Sequence, residues 1–358
     1  MKFNQYDMVL LTDPKQRMYF LGFNSSAGYV MHFRDVTVFV VDNRYFHAAR
    51  KALAHMKSVE VVCSGDYGVL RDYVKGRGIE VIGIDYSVTT IKQRELWQGL
   101  LPRGTQFFDI GPELEAEASI KNFGEIKAIK KACAIAERAF KEVIPCLEEG
   151  VTEREVAAEL EYLFKKHGAS GKSFDTIVAF GENSAVPHHE TGNTHLKPQM
   201  PVLMDFGCIY EGYCSDMTRT LYFGEPDVGF LRNYKAVYDA HMNVFNNVRA
   251  GMTGKEADAL ARDLLQERGL GAYFTHSLGH GVGVNIHEHP YLAPSRTNVL
   301  QNGMVFSNEP GVYFNGKYGI RIEDTCYLEG GVAHSFMKDD KRLIVISKDK
   351  VKKFKFLT

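Results

Sequence analysis

Residues 202–220 read VLMDFGCIYEGYCSDMTRT. Val202-Leu203-Met204 ahead of Asp205, and Thr218-Arg219-Thr220-Leu221-Tyr222 after Asp216, have the apolar and β-branched character of two strands. Tyr210-Glu211-Gly212 between them supplies a turn. Asp205 and Asp216 are eleven positions apart, and an odd separation puts both on one face of an antiparallel pair for any loop of even length. Two carboxylates on one buried face are costly unless protons or cations neutralise them.

Working outward, the same arrangement recurs about a hundred residues later. Met200 precedes Asp205 and Gly207 by five and seven positions, and Met304 precedes Glu309 and Gly311 by the same counts. Ser215-Asp216-Met217-Thr218 is echoed by Ile322-Glu323-Asp324-Thr325. Upstream, Gly150-Val151-Thr152 with Glu155 recurs as Gly251-Met252-Thr253 with Glu256, each a capping box that opens a helix and follows another. Phe174, Gly181 and His188 are matched by Phe274, Gly281 and His287. Each half therefore offers two helices, a histidine-bearing loop and a carboxylate-bearing hairpin, which should pack about a pseudo-two-fold axis. Glu309 and Glu323 are an even fourteen apart, so they share a face only through an odd-length loop or a bulge near Asn315-Gly316.

The chemistry lies in five residues: Asp205, Asp216, His280, Glu309 and Glu323. Four carboxylates balance two divalent ions, and one imidazole adds a neutral ligand, a set suited to Mn, Co, Fe or Zn. Two such ions side by side activate water against a carbonyl or phosphoryl centre. Glycines around His280 (Gly279, Gly281, Gly283) let backbone approach a crowded centre. His188 and His287 are candidate donors to an oxyanion, whereas His189 and His289 read as structural. There is no H-E-x-x-H, G-x-S-x-G or Walker A pattern.

At 358 residues two domains are expected. The first ~115 residues alternate β-rich runs (36–41, 59–62, 79–84) with helical ones (46–56, 67–75), an α/β layer domain. From near Asn122 a long amphipathic helix runs over 125–147, with Pro145 placed to kink its last turn. Net charge of −1 argues against nucleic acid as a partner. Six cysteines without C-x-x-C pairing predict reduced, mostly buried thiols. Neither a signal-peptide start nor an apolar run of membrane-spanning length is present, so a cytoplasmic protein without a membrane partner is expected. The basic stretch Lys348–Lys355, alternating with Val351 and Phe354, reads as a solvated terminal strand.

On the stretches 174–188, 202–220, 275–290 (THSLGHGVGVNIHEHP), 303–313 (GMVFSNEPGVY) and 321–324, the chain resembles the proline-specific metallopeptidases of the pita-bread fold, the Xaa-Pro aminopeptidases and prolidases. The similarity spans roughly 125–345. Residues 19–23 and 42–45 are similar to the smaller creatinase/prolidase N-terminal domain. The resemblance implies an α+β architecture: an α/β N-terminal domain over 1–118 and a duplicated pita-bread domain over 123–358. It implies two divalent metals, with manganese first and cobalt, zinc or iron as alternatives. Asp205 would chelate the first metal, Asp216 and Glu323 would bridge both, and His280 and Glu309 would bind the second. A bridging hydroxide would attack the peptide carbonyl, with Glu309 handling the proton. His188 and His287 would stabilise the tetrahedral intermediate, and Arg321 would orient Glu323 or touch substrate. The implied reaction removes the N-terminal residue from Xaa-Pro peptides. A Xaa-Pro dipeptidase is the alternative, with a methionyl aminopeptidase or a non-catalytic peptide-binding module behind it. Homodimers are expected for such a family. Ser307 and Asn308 stand where Thr and an apolar residue are usual, and should soften packing under the site without removing a ligand.

Overall fold

The computed structural model describes residues 3, 5–347 and 350–353, and the chain divides into two compact units, Met1–Ala118 and Ser119–Thr358. In the first unit a mixed six-stranded sheet runs Val59–Cys63, Thr37–Val41, Tyr29–His32, Met8–Leu11, Val81–Ile84, Gln106–Asp109. The strand Thr37–Val41 is buried on both faces, since Val38 and Val40 enter one core while Phe39 and Val41 enter the other. That is why its sequence is continuously apolar rather than alternating. The helices expected over 46–56 and 67–75 are shorter, Phe46–Ala52 and Gly68–Val74.

In the second unit the duplication is legible bond by bond. Helix Phe123–Val143 is followed by helix Glu153–Lys166, and helix Val228–Asn247 by helix Gly254–Glu267. Each second helix opens on the expected capping box, Thr152 with Glu155 and Thr253 with Glu256. Before them, Gly150 (φ 94°) donates to Leu196 O and Gly251 (φ 96°) to Leu300 O, both at 2.8 Å. The positive φ explains glycine at both positions. The first helix ends earlier than its apolar spacing suggests. Pro145 does not kink it; the α-helix stops at Val143 and a 3₁₀ turn, Ile144–Cys146, contains the proline.

Each helix pair covers a sheet. One has strand order Lys350–Lys353, Ile344–Ser347, Met217–Phe223, Met200–Phe206, Ile177–Phe180; the other Glu288–Leu292, Gly279–Gly281, Val305–Asn308, Asp324–Glu329, Val332–Ser335. The two helix pairs contribute to separate hydrophobic clusters, one built around Phe140, Phe164 and Phe206 and the other around Phe230, Leu265 and Phe306. The terminal strand expected from the basic stretch is observed over Lys350–Lys353; the rest of that expectation lies outside the described residues. Among the described residues no helix is long and apolar enough to cross a membrane. All six cysteines are free, four of them buried.

Gly207 joins the strand of Asp205 to the small hairpin Cys208–Tyr210/Tyr213–Cys214, and a Cβ there would sit 1.9 Å from the carbonyl oxygen of Ser215. Backbone cannot yield as a flexible side chain would. Gly207→Ala is expected to destabilise the unit by about 1–3 kcal/mol or more, read as a lower denaturant midpoint at unchanged slope.

Candidate metal centre and catalytic cavity

Strand register decides which side chains meet. Thr218 pairs with Asp205, and the register continues through Ile209↔Cys214 and Tyr210↔Tyr213 into a two-residue turn. Glu211 (φ 49°) and Gly212 (φ 84°) form that turn, both left-handed as a tight hairpin requires. The even loop leaves Asp205 and Asp216 on one face, one pleat apart. In the second half Asn308 pairs with Asp324 and Gly311 with Arg321, so Glu309 stands opposite Glu323. The loop there is the odd one that parity demanded, Asn315-Gly316-Lys317, with Gly316 at φ 69°.

The two hairpins meet through Glu323, whose N–H donates to Thr218 O at 3.0 Å. Thr218 Oγ1 donates to Glu323 Oε2 at 2.6 Å, and Asp216 N–H donates to Thr325 Oγ1 at 3.1 Å. One oxygen or nitrogen from each of Asp216, His280 and Glu323 lies within 4.8 Å of the others. His280 Nε2 stands 3.5 Å from Asp216 Oδ2 and 3.3 Å from Glu309 Oε1. Asp205 borders the same cavity but leans on Arg321, whose Nη2 donates to Asp205 Oδ2 at 2.6 Å. Its other oxygen, Oδ1, is buried without a hydrogen-bond partner.

Arg321 does more than orient one acid. Its Nε donates to Thr218 Oγ1 at 3.0 Å and its Nη1 to the Tyr313 hydroxyl at 2.6 Å. It therefore holds Asp205 directly and reaches Glu323 only through Thr218. Tyr313 also meets His276 Nε2 at 3.0 Å. Ser307 is no mere packing residue: its hydroxyl accepts from His280 N–H at 3.0 Å and donates to Glu309 Oε1 at 2.9 Å. Asn308 is fully buried; its Nδ2 donates to His241 O at 3.1 Å, and its Oδ1 has no hydrogen-bond partner. Tyr313 and His276 carried no role in the sequence reading, Ser307 entered it only as a packing position and Thr218 only as a strand residue. Only Thr218, two residues from Asp216 and so on the same face, carried a signal that could have found it.

The cavity, about 810 Å³, is lined by all four acids and the histidine of the proposed metal set together with His188, His287 and Arg321. His188 is exposed on the loop after Ala185, and the His287 ring stacks edge-on to His280 at 4.2 Å. Burial, helped by the neighbouring His280 and His188, pushes His287 down to about 4, so it is neutral near pH 7. Burial and then the charge of Glu323 hold Asp216 well above the usual carboxylate range. Burial and then Glu309 do the same to Glu323. Burial likewise lifts Glu309 to about 7.

Such a cluster is paid for by protons or by cations. Buried like charges, a partnerless Asp205 oxygen and a hard-oxygen donor set with one imidazole fit divalent metal. A prediction follows for the metal-free protein. Glu309 has its folded pKa raised above its unfolded value, so its contribution is full below the unfolded pKa of about 4.3 and lost as pH rises through about 7. Chelator-treated protein should lose melting temperature between pH 5 and 8, and Glu309→Gln should lose less. Parallel melting curves for the two proteins across that range would exclude the charged cluster as the cause.

The metallopeptidase family M24 model matches residues 127–329, and the creatinase/prolidase N-terminal domain model matches residues 1–117. The chain belongs to metallopeptidase family M24, a creatinase/prolidase-type N-terminal domain followed by a pita-bread catalytic domain, and is a metallo-exopeptidase that uses divalent metal ions. The Xaa-Pro dipeptidase of Pyrococcus furiosus is 34% identical over 348 residues, 95% of this chain and 96% of that protein. An Xaa-Pro dipeptidase structure from Bacillus anthracis matches with TM-score 0.91 at 36% identity, covering 96% of both chains. The X-Pro aminopeptidase structure from Thermotoga maritima matches with TM-score 0.90 at 32% identity, covering 96% of this chain and 98% of that one.

Proposed function

We propose that the chain hydrolyses the N-terminal residue from Xaa-Pro peptides at a dinuclear metal centre, the catalytic domain being residues 123–358 and the N-terminal domain residues 1–118. The observation that carries this is the convergence of one carboxylate pair from each half, with His280, on one buried locus. Asp205, Asp216, His280, Glu309 and Glu323 would hold the metals. Two divalent ions there would supply Lewis acidity and an activated water.

The chain's own residues do the rest. Glu309 lines the cavity, where it is placed to take a proton and return it to the leaving proline nitrogen. His287, neutral at pH 7, presents an N–H into the cavity, and His188 faces the same space from the first half. Together they would hold the carbonyl oxygen as it becomes an oxyanion. Arg321 keeps Asp205 and, through Thr218, Glu323 in place. Manganese suits this oxygen-rich set best, with cobalt, zinc or iron as substitutes. Free cysteines accord with a cytoplasmic setting, and a homodimer is the assembly we assign.

A second reading, an Xaa-Pro dipeptidase, is favoured by the dipeptidases among the similar proteins. The deciding experiment loads the protein with Mn²⁺ or Co²⁺ and follows release of the first residue from Xaa-Pro-Yaa tripeptides, Xaa-Pro dipeptides and Met-Ala peptides. Faster turnover of the tripeptides is expected. Preference for the dipeptides would establish the second reading, and no cleavage of any would sink both.

A further inference from the structure

His188 carries a catalytic assignment but sits on an irregular segment, residues 186–199, between the 3₁₀ turn Gly181–Ala185 and the strand Met200–Phe206. Its imidazole is exposed and has no hydrogen-bond partner among the described residues. Something must therefore fix the backbone beneath it. Thr191 does part of this, accepting from Val178 N–H at 2.9 Å and donating to Thr176 O at 2.8 Å. The larger anchor is Glu153, whose residue is wholly buried.

Glu153 Oε1 accepts from Phe180 N–H and from Asn183 Nδ2, each at 2.8 Å. Oε2 accepts from His189 Nε2 and from Gly192 N–H, each at 3.0 Å. One carboxylate thus ties the end of strand Ile177–Phe180, the 3₁₀ turn and the loop on the C-terminal side of His188, including the residue next to it.

The simpler explanation of an acid in the first turn of a helix is favourable interaction with the helix dipole. Here the cap is already made by Thr152 and Glu155, and the Glu153 side chain spends its bonds on four donors outside its own helix. The repeat supplies a control. The matching position of the second half is Gly254, where a Cβ would lie 2.2 Å from Tyr291 O, so that helix start abuts the strand following His287 directly. An acid is not a requirement of the helix start; it belongs to the first half's loop.

We propose that Glu153 is a positioning residue that sets the place of His188 in the cavity. The inference rests on His188 acting as the oxyanion donor. In Glu153→Gln the amide oxygen replaces only one accepting edge, and an NH₂ group faces Gly192 N–H and His189. Metal stoichiometry and affinity should match wild type, while kcat falls about 10- to 100-fold with a smaller change in KM.

The decisive arm is a double-mutant cycle with His188→Ala. If Glu153 acts through His188, adding Glu153→Gln to His188→Ala costs little further activity, because the residue being placed is already gone. Equal losses in both backgrounds, or no loss in the otherwise wild-type protein, would overturn the proposal. An unchanged kcat in His188→Ala alone would instead overturn the assignment of His188. Should Glu153→Gln fail to fold, His189→Ala removes the strut nearest His188 while leaving Glu153 its other three donors, and the same cycle applies.

Discussion

Asp216→Ala is expected to empty the metal centre and lower hydrolysis by more than about a thousandfold, equivalent to about 4 kcal/mol in the barrier. Asp216 is buried and lies within reach of both His280 and Glu323, one from each adjoining segment of the second half. Asp205 cannot take its place, because the strand register fixes it one pleat away and Arg321 already engages it. The same change removes a buried acid that is costly when charged. The metal-free mutant should therefore be at least as stable as metal-free wild type at pH 8, even though it is inactive. Elemental analysis after dialysis against Mn²⁺, with melting curves alongside, reads both effects. A mutant that keeps its metal and its activity would refute Asp216 as a metal ligand.

The second large effect is on turnover rather than metal. His188→Ala removes a donor from the cavity wall without touching any of the five proposed ligands. Removing one oxyanion donor costs roughly 10²–10³ in kcat, and metal content should stay at the wild-type level. Loss of metal in this variant would mean that His188 is a ligand and that the assignment of five is incomplete. His287→Ala is a less clean companion, since its ring packs edge-on against His280 and its removal disturbs a ligand.

Much of the site is written in the parity of its residue spacings. A strand alternates faces, so the odd spacing of Asp205 and Asp216 and the even spacing of Glu309 and Glu323 fixed which loops would bring each pair together. The two-residue turn at Glu211-Gly212 and the three-residue loop around Gly316 satisfy those conditions. Capping boxes at Thr152 and Thr253 were equally plain, being local patterns. What stayed hidden depends on long-range contact. Tyr313 reaches Arg321 and His276, and Glu153 reaches the loop of His188, through side chains whose sequence neighbourhood says nothing of their partners. The kink expected at Pro145 failed for a related reason. A proline two residues beyond the last α-helical residue ends the helix, and spacing alone could not place that end.

A count of bound metal tests the dinuclear centre most directly. Titrating chelator-stripped protein with Mn²⁺ under equilibrium dialysis, followed by elemental analysis, should give two ions per chain, with hydrolysis of an Xaa-Pro tripeptide rising to its plateau as the second site fills. A plateau of activity at a single ion per chain, or full activity in protein that binds none, would contradict it.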